Sequence, residues 1–286
     1  LLDKNTMKAK RLDGQRWYEI DDIQDLDIAQ TLFIENDVEK YQCLMKRYGG
    51  YWRFPHLHDY CYLVNPYFPT KRMQEEMESN YGILIDQYPS GMSVNCLLAA
   101  KCFDIHQEHI VLGNGAAELI KSLLEQLDGK LGIIRPTFEE YPNRWEKDCV
   151  VYDCTKNDFS YSAKQIISFF SKNPINTLVL INPDNPTGHF LDKIEINNIL
   201  EWCKEKDINL ILDESFLDFA DDEHISMLSE RVLCENSNLY VVKSISKSYG
   251  VPGLRLGILA SGNVDMIKVL KQTVPIWNIN SLAEFF

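Results

Sequence analysis

Between about residue 110 and residue 260, short apolar runs alternate with longer amphipathic stretches. Residues 110–112, 131–134, 150–153, 177–181, 209–212, 240–242 and 256–260 read as strands. Each is a brief apolar run, rich in β-branched residues, between turn formers. Residues 117–127, 163–171 and 192–205 lie between them and repeat their apolar positions at helical spacing. Strands that alternate with helices predict an α/β domain, here a mostly parallel sheet of seven strands covered by helices on both faces. In such sheets chemistry is expected just beyond the C-terminal ends of the strands.

The earlier part of the chain has another texture. Residues 13–33 begin acidic and aromatic and then become amphipathic, while Tyr48-Gly49-Gly50-Tyr51 and Asn65-Pro66-Tyr67-Phe68-Pro69 break the pattern as turns. No internal repeat or low-complexity tract occurs. No run approaches the ~20 apolar residues that span a bilayer, and residues 1–10 lack the apolar centre of a secretory signal. The net charge of −13 disfavours nucleic acid as a partner. The eight cysteines include no C-x-x-C pair, so reduced thiols in a cytoplasmic protein are expected.

Chemistry concentrates after the strand at 240–242. Lys243-Ser244-Ile245-Ser246-Lys247 leads, eight residues beyond Lys247, to Arg255 within Pro252-Gly253-Leu254-Arg255-Leu256-Gly257. A lysine attacks carbonyls when a dry or cationic environment lowers its pKa. Ser244, Ser246 and Arg255 offer two hydroxyls and a guanidinium fork, a set suited to a phosphate dianion. Taken alone, the stretch reads more simply as a strand, a surface lysine and a turn. Two further segments change the picture. Asn182-Pro183-Asp184-Asn185-Pro186-Thr187-Gly188 follows one strand, and Asp213 ends the next, 28 residues after Asn185 and 34 before Lys247. A carboxylate at a buried strand end needs a cation. The protonated pyridine nitrogen of pyridoxal phosphate is one, and Asn185 could donate to that ring's phenolic oxygen.

Asn185-Pro186-Thr187-Gly188, Asp213-Glu214 and Ser244-x-Ser246-Lys247-(x)7-Arg255 resemble fold-type I aminotransferases of classes I and II. Within these, the chain is similar to histidinol-phosphate aminotransferase and threonine-phosphate decarboxylase, from about Tyr48 to Phe286. The resemblance implies pyridoxal 5'-phosphate held on Lys247 as a Schiff base, with Lys247 then acting as the proton carrier. It implies Asp213 on the ring nitrogen, Asn185 on the phenolic oxygen and Tyr141 stacked on the ring. Ser244, Ser246, Arg255 and the Gly115, Ala116 and Ala117 amides would hold the phosphate. Tyr88 would be lent to the phosphate of a neighbouring subunit in a homodimer, and Asn65, Tyr48 and Gly50 would face the substrate. For Tyr88 and Tyr141 singly, a buried core aromatic is the alternative.

Three departures from the family pattern matter. Phe216 stands where a tyrosine usually donates to the phenolic oxygen, which should raise the pKa of the bound cofactor. Ala117 replaces a common polar residue in the phosphate loop. The family's small domain continues past residues 277–281 and carries the arginine that clamps a substrate carboxylate. The chain is therefore expected to be a fragment or to have an abbreviated, partial small domain.

Residues 17–26 resemble the closing segment of sugar- or choline-phosphate nucleotidyltransferases, which suggests a cut from a bifunctional fusion; an acidic amphipathic linker is the alternative. The expected organisation is a linker at 1–40, an N-terminal arm and small-domain segment at 41–90, and a large cofactor-binding domain at 91–286. The expected activity is transamination between a small amino donor and a keto acceptor. The donor is expected to bear phosphate or phosphonate, being histidinol-phosphate-like or 2-aminoethylphosphonate-like. Decarboxylation of a phospho-amino acid and a catalytically idle cofactor-binding module are the alternatives. No metal is expected: His56-x-His58 and His106-x-x-His109 lack an evident third ligand, and Asp21-Asp22 and Asp221-Asp222-Glu223 read as solvated or helix-start charge.

Overall fold

The computed structural model describes residues 10–14, 16–220 and 226–286. The stretches at 1–9 and 221–225, on which the signal-sequence and Asp221-Asp222-Glu223 readings partly or wholly fall, lie outside the described residues. Contacts divide the chain into two units, Leu1–Tyr62 and Leu63–Phe286.

The first unit holds two helices, α1 (Ile23–Leu32) and α2 (Asp37–Met45). Asp22 caps α1 by accepting from the amides of Gln24 and Asp25, and Asn36 does the same for α2. The Asp21-Asp22 pair thus contains a helix-start acid. Arg47 ties the helices together, donating to Asp27 at 2.6 Å and to the Thr31 hydroxyl at 2.9 Å.

The second unit contains every predicted strand: β1 (Ile110–Asn114), β2 (Leu131–Arg135), β3 (Cys149–Asp153), β4 (Thr177–Ile181), β5 (Asn209–Asp213), β6 (Leu239–Ser244) and β7 (Leu256–Ala260). They form one sheet in the order β1-β7-β6-β5-β4-β2-β3. Only β7 runs antiparallel to its neighbours. The helices are α3 (Lys71–Asp86), α4 (Met92–Phe103), α5 (Ala116–Gln126), α6 (Glu140–Asn143), α7 (Ala163–Lys172), α8 (Lys193–Glu205), α9 (Glu230–Glu235), α10 (Ile245–Ser248), α11 (Val264–Thr273) and α12 (Ser281–Phe285).

Strand alternation sends side chains into two cores. Leu178, Leu180, Leu210, Leu212, Leu239 and Val241 pack with Ile166 and Phe170 of α7 and Ile196 and Ile199 of α8. Val179, Ile211, Tyr240 and Val242 pack on the other face with Leu119 and Leu123 of α5 and Ile267 and Leu270 of α11. Full burial of such aliphatic side chains stabilises by roughly 1.5–3 kcal/mol each. This explains why the central strands read as unbroken apolar runs, whereas the edge strand β3 alternates in exposure. Among the described residues, no helix is long and apolar enough to cross a membrane.

Candidate active site

The C-terminal ends of β1, β2, β4, β5 and β6 open on one edge of the sheet, and there the start of β7 meets the end of β1 through the Asn114–Leu256 pairing. That edge gathers Gly115, Phe138, Asn185, Asp213, Lys247 and Arg255 from segments far apart in sequence.

Asp213, the last residue of β5, is buried. Its Oδ2 accepts from the Tyr141 hydroxyl at 2.7 Å and its Oδ1 from the Ser215 amide at 2.9 Å. Burial pushes the carboxyl above its ordinary pKa; the Ser215 and Tyr141 hydrogen bonds and the Lys247 charge oppose that rise. Lys247 lies in the short helix α10, which directly follows β6. Burial pushes its amine below the ordinary lysine value, Arg255 adds to the shift and Asp213 opposes it. Its Nζ stands 5.7 Å from the centre of the Phe216 ring. Among the described residues, no carboxylate forms an ion pair with Lys247 or Arg255.

A strap at residues 65–69 fixes the turn that carries Lys247. The Asn65 amide donates to the Lys247 carbonyl at 2.9 Å, and Asn65 Nδ2 donates to the Ser248 carbonyl at 2.9 Å. Gly250 has φ +62°, and a Cβ there would overlap the Phe68 carbonyl oxygen. Only glycine permits this approach.

The residues present fit a phosphate. The N-terminus of α5 has no side-chain cap, so backbone N–H groups remain free. Gly115, at φ +78°, leaves room that a Cβ would fill by running into the Arg255 guanidinium. Arg255 itself adopts φ +57°, an uncommon conformation for a non-glycine residue, of the kind that persists where the surroundings enforce it. Ser246 is buried, its Oγ lies 3.4 Å from both the Leu256 amide and carbonyl, and the buried Ser248 Oγ has no protein partner. Alongside, Asn185 and Phe216 line a cavity of 510 Å³ with Leu63, Pro183, Phe190 and Phe219. Its lining includes no lysine or arginine.

Two residues given roles by the resemblance are engaged within the protein. The ring of Tyr141 is fully buried, and its hydroxyl holds Asp213. Phe138, three residues earlier and 40% exposed at the same sheet edge, is the aromatic left available for ring contact. Asn65 was expected to face substrate, but its Nδ2 binds the Ser248 carbonyl and its Oδ1 accepts from the Tyr67 amide. Both polar ends of that side chain are engaged within the protein.

Tyr88 is exposed and stacks on Trp277 at 4.4 Å, so the core alternative holds for Tyr141 and fails for Tyr88. Ser244 is half-buried, and its amide donates to the Ser215 hydroxyl at 2.9 Å. Ala116 and Ala117 open α5. Tyr48 and Gly50 belong to the first unit, where Tyr48 is exposed and Gly50 precedes a short 3-10 turn. Sequence reasoning missed Ser215 and Asn278. Asn278 donates to Glu118 Oε2 at 2.9 Å while the Asn114 amide donates to the same oxygen at 2.7 Å, which braces the loop around Gly115.

Residues 64–284 match the family model of class I and II aminotransferases. The chain is 33% identical over 271 residues to the CMP-5'-(3-aminopropyl)phosphonate synthase of Streptomyces rubellomurinus, covering 94% of this chain and 42% of that protein. It is 34% identical over 240 residues to the L-serine phosphate decarboxylase of Sulfurospirillum multivorans, covering 79% of this chain and 60% of that one. Among solved structures, the histidinol-phosphate aminotransferase of Clostridium acetobutylicum superposes with a TM-score of 0.69 at 26% identity, covering 80% of this chain and 68% of its own. The chain thus spans 42% and 60% of the lengths of these two curated relatives.

Proposed function

The chain belongs to the class I and II aminotransferase family, of fold type I with pyridoxal 5'-phosphate as cofactor, and from that premise we propose that it transaminates a small amine bearing phosphate or phosphonate. The observation that carries this reading is the shared sheet edge of Lys247, Asp213 and Arg255, with neither cation ion-paired to a carboxylate among the described residues. When bound, the cofactor supplies a ring that takes up the electron pair left at the substrate's α-carbon.

The chain's own residues supply the rest. Asp213, held from both sides by Tyr141 and Ser215, places a carboxylate at the floor of the site to face the ring nitrogen. Lys247 has a lowered pKa, so a larger neutral fraction would be available to hold the cofactor through its carbonyl carbon, with loss of water, and the freed amine would take up and return a proton. Arg255, Ser244, Ser246 and the Gly115–Ala116–Ala117 backbone would hold the phosphate, Asn185 the phenolic oxygen. Phe138 would lie on the ring face, in the role first expected of Tyr141.

The substrate class rests on the relatives, whose names specify an aminopropylphosphonate and a serine phosphate. The match to the phosphonate synthase covers nearly all of this chain and under half of that protein. This supports the further proposal that residues 1–40 are a linker from a nucleotidyltransferase fusion, followed by an arm at 41–90 and the large domain from 91. A cytoplasmic homodimer, in which Tyr88 is lent to the phosphate of the neighbouring subunit, is part of the same proposal.

Decarboxylation is the second reading, favoured by the 34% identity to the serine phosphate decarboxylase. One experiment addresses both. Pyridoxal phosphate is added to the purified protein, and absorbance is followed before and after phosphono- and phospho-amines. Conversion of the bound cofactor to its amine form supports transamination. Release of carbon dioxide without a keto acceptor selects decarboxylation. Binding with neither outcome marks an idle module, and failure to bind the cofactor overturns the proposal.

A further inference from the structure

The histidine pair at 106 and 109, unused by the cofactor site, meets two side chains distant in sequence. His109 Nδ1 lies 3.1 Å from the Glu230 carboxylate, and Cys234 Sγ lies 3.4 Å from Glu230 Oε1. The three donor atoms all fall within 4.8 Å of one another. We infer that His109, Glu230 and Cys234 form a binding site for a divalent metal ion of zinc's class, with the fourth position open to solvent.

The donor set carries the choice of ion. Imidazole nitrogen, thiolate sulfur and carboxylate oxygen together select a borderline cation such as zinc over calcium or magnesium, which take oxygen ligands. A thiolate and a carboxylate balance the double positive charge. Zinc bonds of about 2.0–2.3 Å place tetrahedral donors roughly 3.3–3.7 Å apart. The two measured separations lie at or near that range. The remaining one, between His109 and Cys234, is within 4.8 Å, and Cys234 is exposed.

The frame around the donors is already fixed. The His109 amide donates to the His106 carbonyl at 2.9 Å, and its carbonyl accepts from the Ser261 amide at 2.9 Å. Glu230 Oε2 also accepts from the His106 amide at 2.8 Å, a contact that orients the carboxylate. Glu230 and Cys234 stand one turn apart on α9. The His106 ring, 6.0 Å from that of His109, is exposed at the rim of the cluster. A plain histidine–glutamate hydrogen bond needs no thiol beside it.

The site lies at the end of β1 opposite Gly115, which is six residues on from His109, about 20 Å along the strand. Cofactor absorbance therefore serves as an independent control of folding. The test uses the full chain loaded with pyridoxal phosphate, cleared of metal by a chelator and titrated with zinc against a chelating dye. One equivalent should bind, and cobalt in its place should give a thiolate charge-transfer band. In His109→Ala and Cys234→Ser, zinc affinity should fall by about tenfold or more, since losing a ligand costs at least what losing an orienting partner costs. Cys234→Ser should also lose the cobalt band. Cys234 is exposed, so that variant keeps the test valid if His109→Ala does not fold. No tight equivalent in the wild type, or one whose affinity is unchanged in Cys234→Ser, would overturn the proposal.

Discussion

Asp213 and Glu214 are consecutive, buried, and raised in pKa by that burial, yet they serve two regions of opposite character. On the Glu214 side, Glu214, Lys243 and Asp218 all have protein partners. Glu214 accepts from the Ser226 hydroxyl at 2.6 Å and the Met227 amide at 2.7 Å, and Lys243 meets Asp218 at 2.6 Å. On the Asp213 side the carboxylate is held by hydrogen bonds, while Lys247, four residues after Lys243, has no ion-pair partner among the described residues. The closed region stabilises the end of the sheet. The open one leaves cations and amides without partners among the described residues, and that incompleteness is the ground for proposing it as the site.

The largest expected break in this contrast is Lys247→Ala. Loss of proton transfer alone should lower turnover roughly 10²–10⁴-fold, and borohydride should no longer fix the cofactor to the chain. Turnover within a few-fold of wild type in the purified variant would refute the role given to Lys247. Lys243→Ala is the paired control. It should lose stability, because Asp218 is left without its partner, but still be trapped by borohydride.

Next come Asp213→Asn and Glu214→Ala. Asp213→Asn removes the charge that faces the ring and should cut turnover roughly a hundredfold or more. In the cofactor-free protein the sign reverses. Because the folded Asp213 carboxyl is raised, the stability it contributes is present at low pH and is lost as pH rises through the raised value. The asparagine variant should lack that loss, so its chemical denaturation midpoint should fall less between acidic and neutral pH. Glu214→Ala should instead lower stability by roughly 1–3 kcal/mol, with the Met227 amide unmatched, and leave cofactor absorbance unchanged. If the two variants behave alike, the division between the regions fails.

Much of this was legible in the sequence. All seven strands lie where short apolar runs fall between turn formers, and the helix expected from residue 117 begins at Ala116, because Gly115 takes the positive φ that lets the chain turn into it. Lys247, Asp213, Asn185 and Arg255 are proposed from residue type and spacing, and the fold brings them to one edge of the sheet. What was not legible depends on distant packing. Phe138 and Tyr141 are two aromatics three residues apart, and only the hydroxyl's bond to Asp213, 72 residues on, decides which is buried. Asn65 looked available to substrate because its carbonyl acceptor belongs to Ser248, 183 residues away. The third and fourth donors near His106 and His109 come from α9, across 121 residues, and no local pattern announces them.

A smaller effect is expected from Tyr141→Phe. It removes one of the two hydrogen bonds on the Asp213 carboxylate without opening a cavity of more than a hydroxyl. Asp213 should then hold its proton to higher pH, and cofactor affinity should drop by up to about tenfold. Unchanged affinity together with an unchanged pH response would show that Ser215 alone holds the carboxylate.

Phe216→Tyr should have the smallest effect and the most specific one. The Phe216 ring lies 5.7 Å from Lys247 Nζ and beside Asn185 along the cavity wall, so it borders the region where the cofactor's phenolic oxygen would lie. Phenylalanine offers that oxygen no donor, which leaves Asn185 as the proposed one. A hydroxyl added at this position can donate to the oxygen, stabilise it without its proton and let that proton leave at lower pH. A pH titration of the bound cofactor's absorbance should therefore shift downward in Phe216→Tyr, with the closed region around Glu214 and Lys243 untouched. No downward shift would mean that the phenylalanine does not set the cofactor's titration, and that the open region is tuned by Asn185, Asp213 and the two unpaired cations alone.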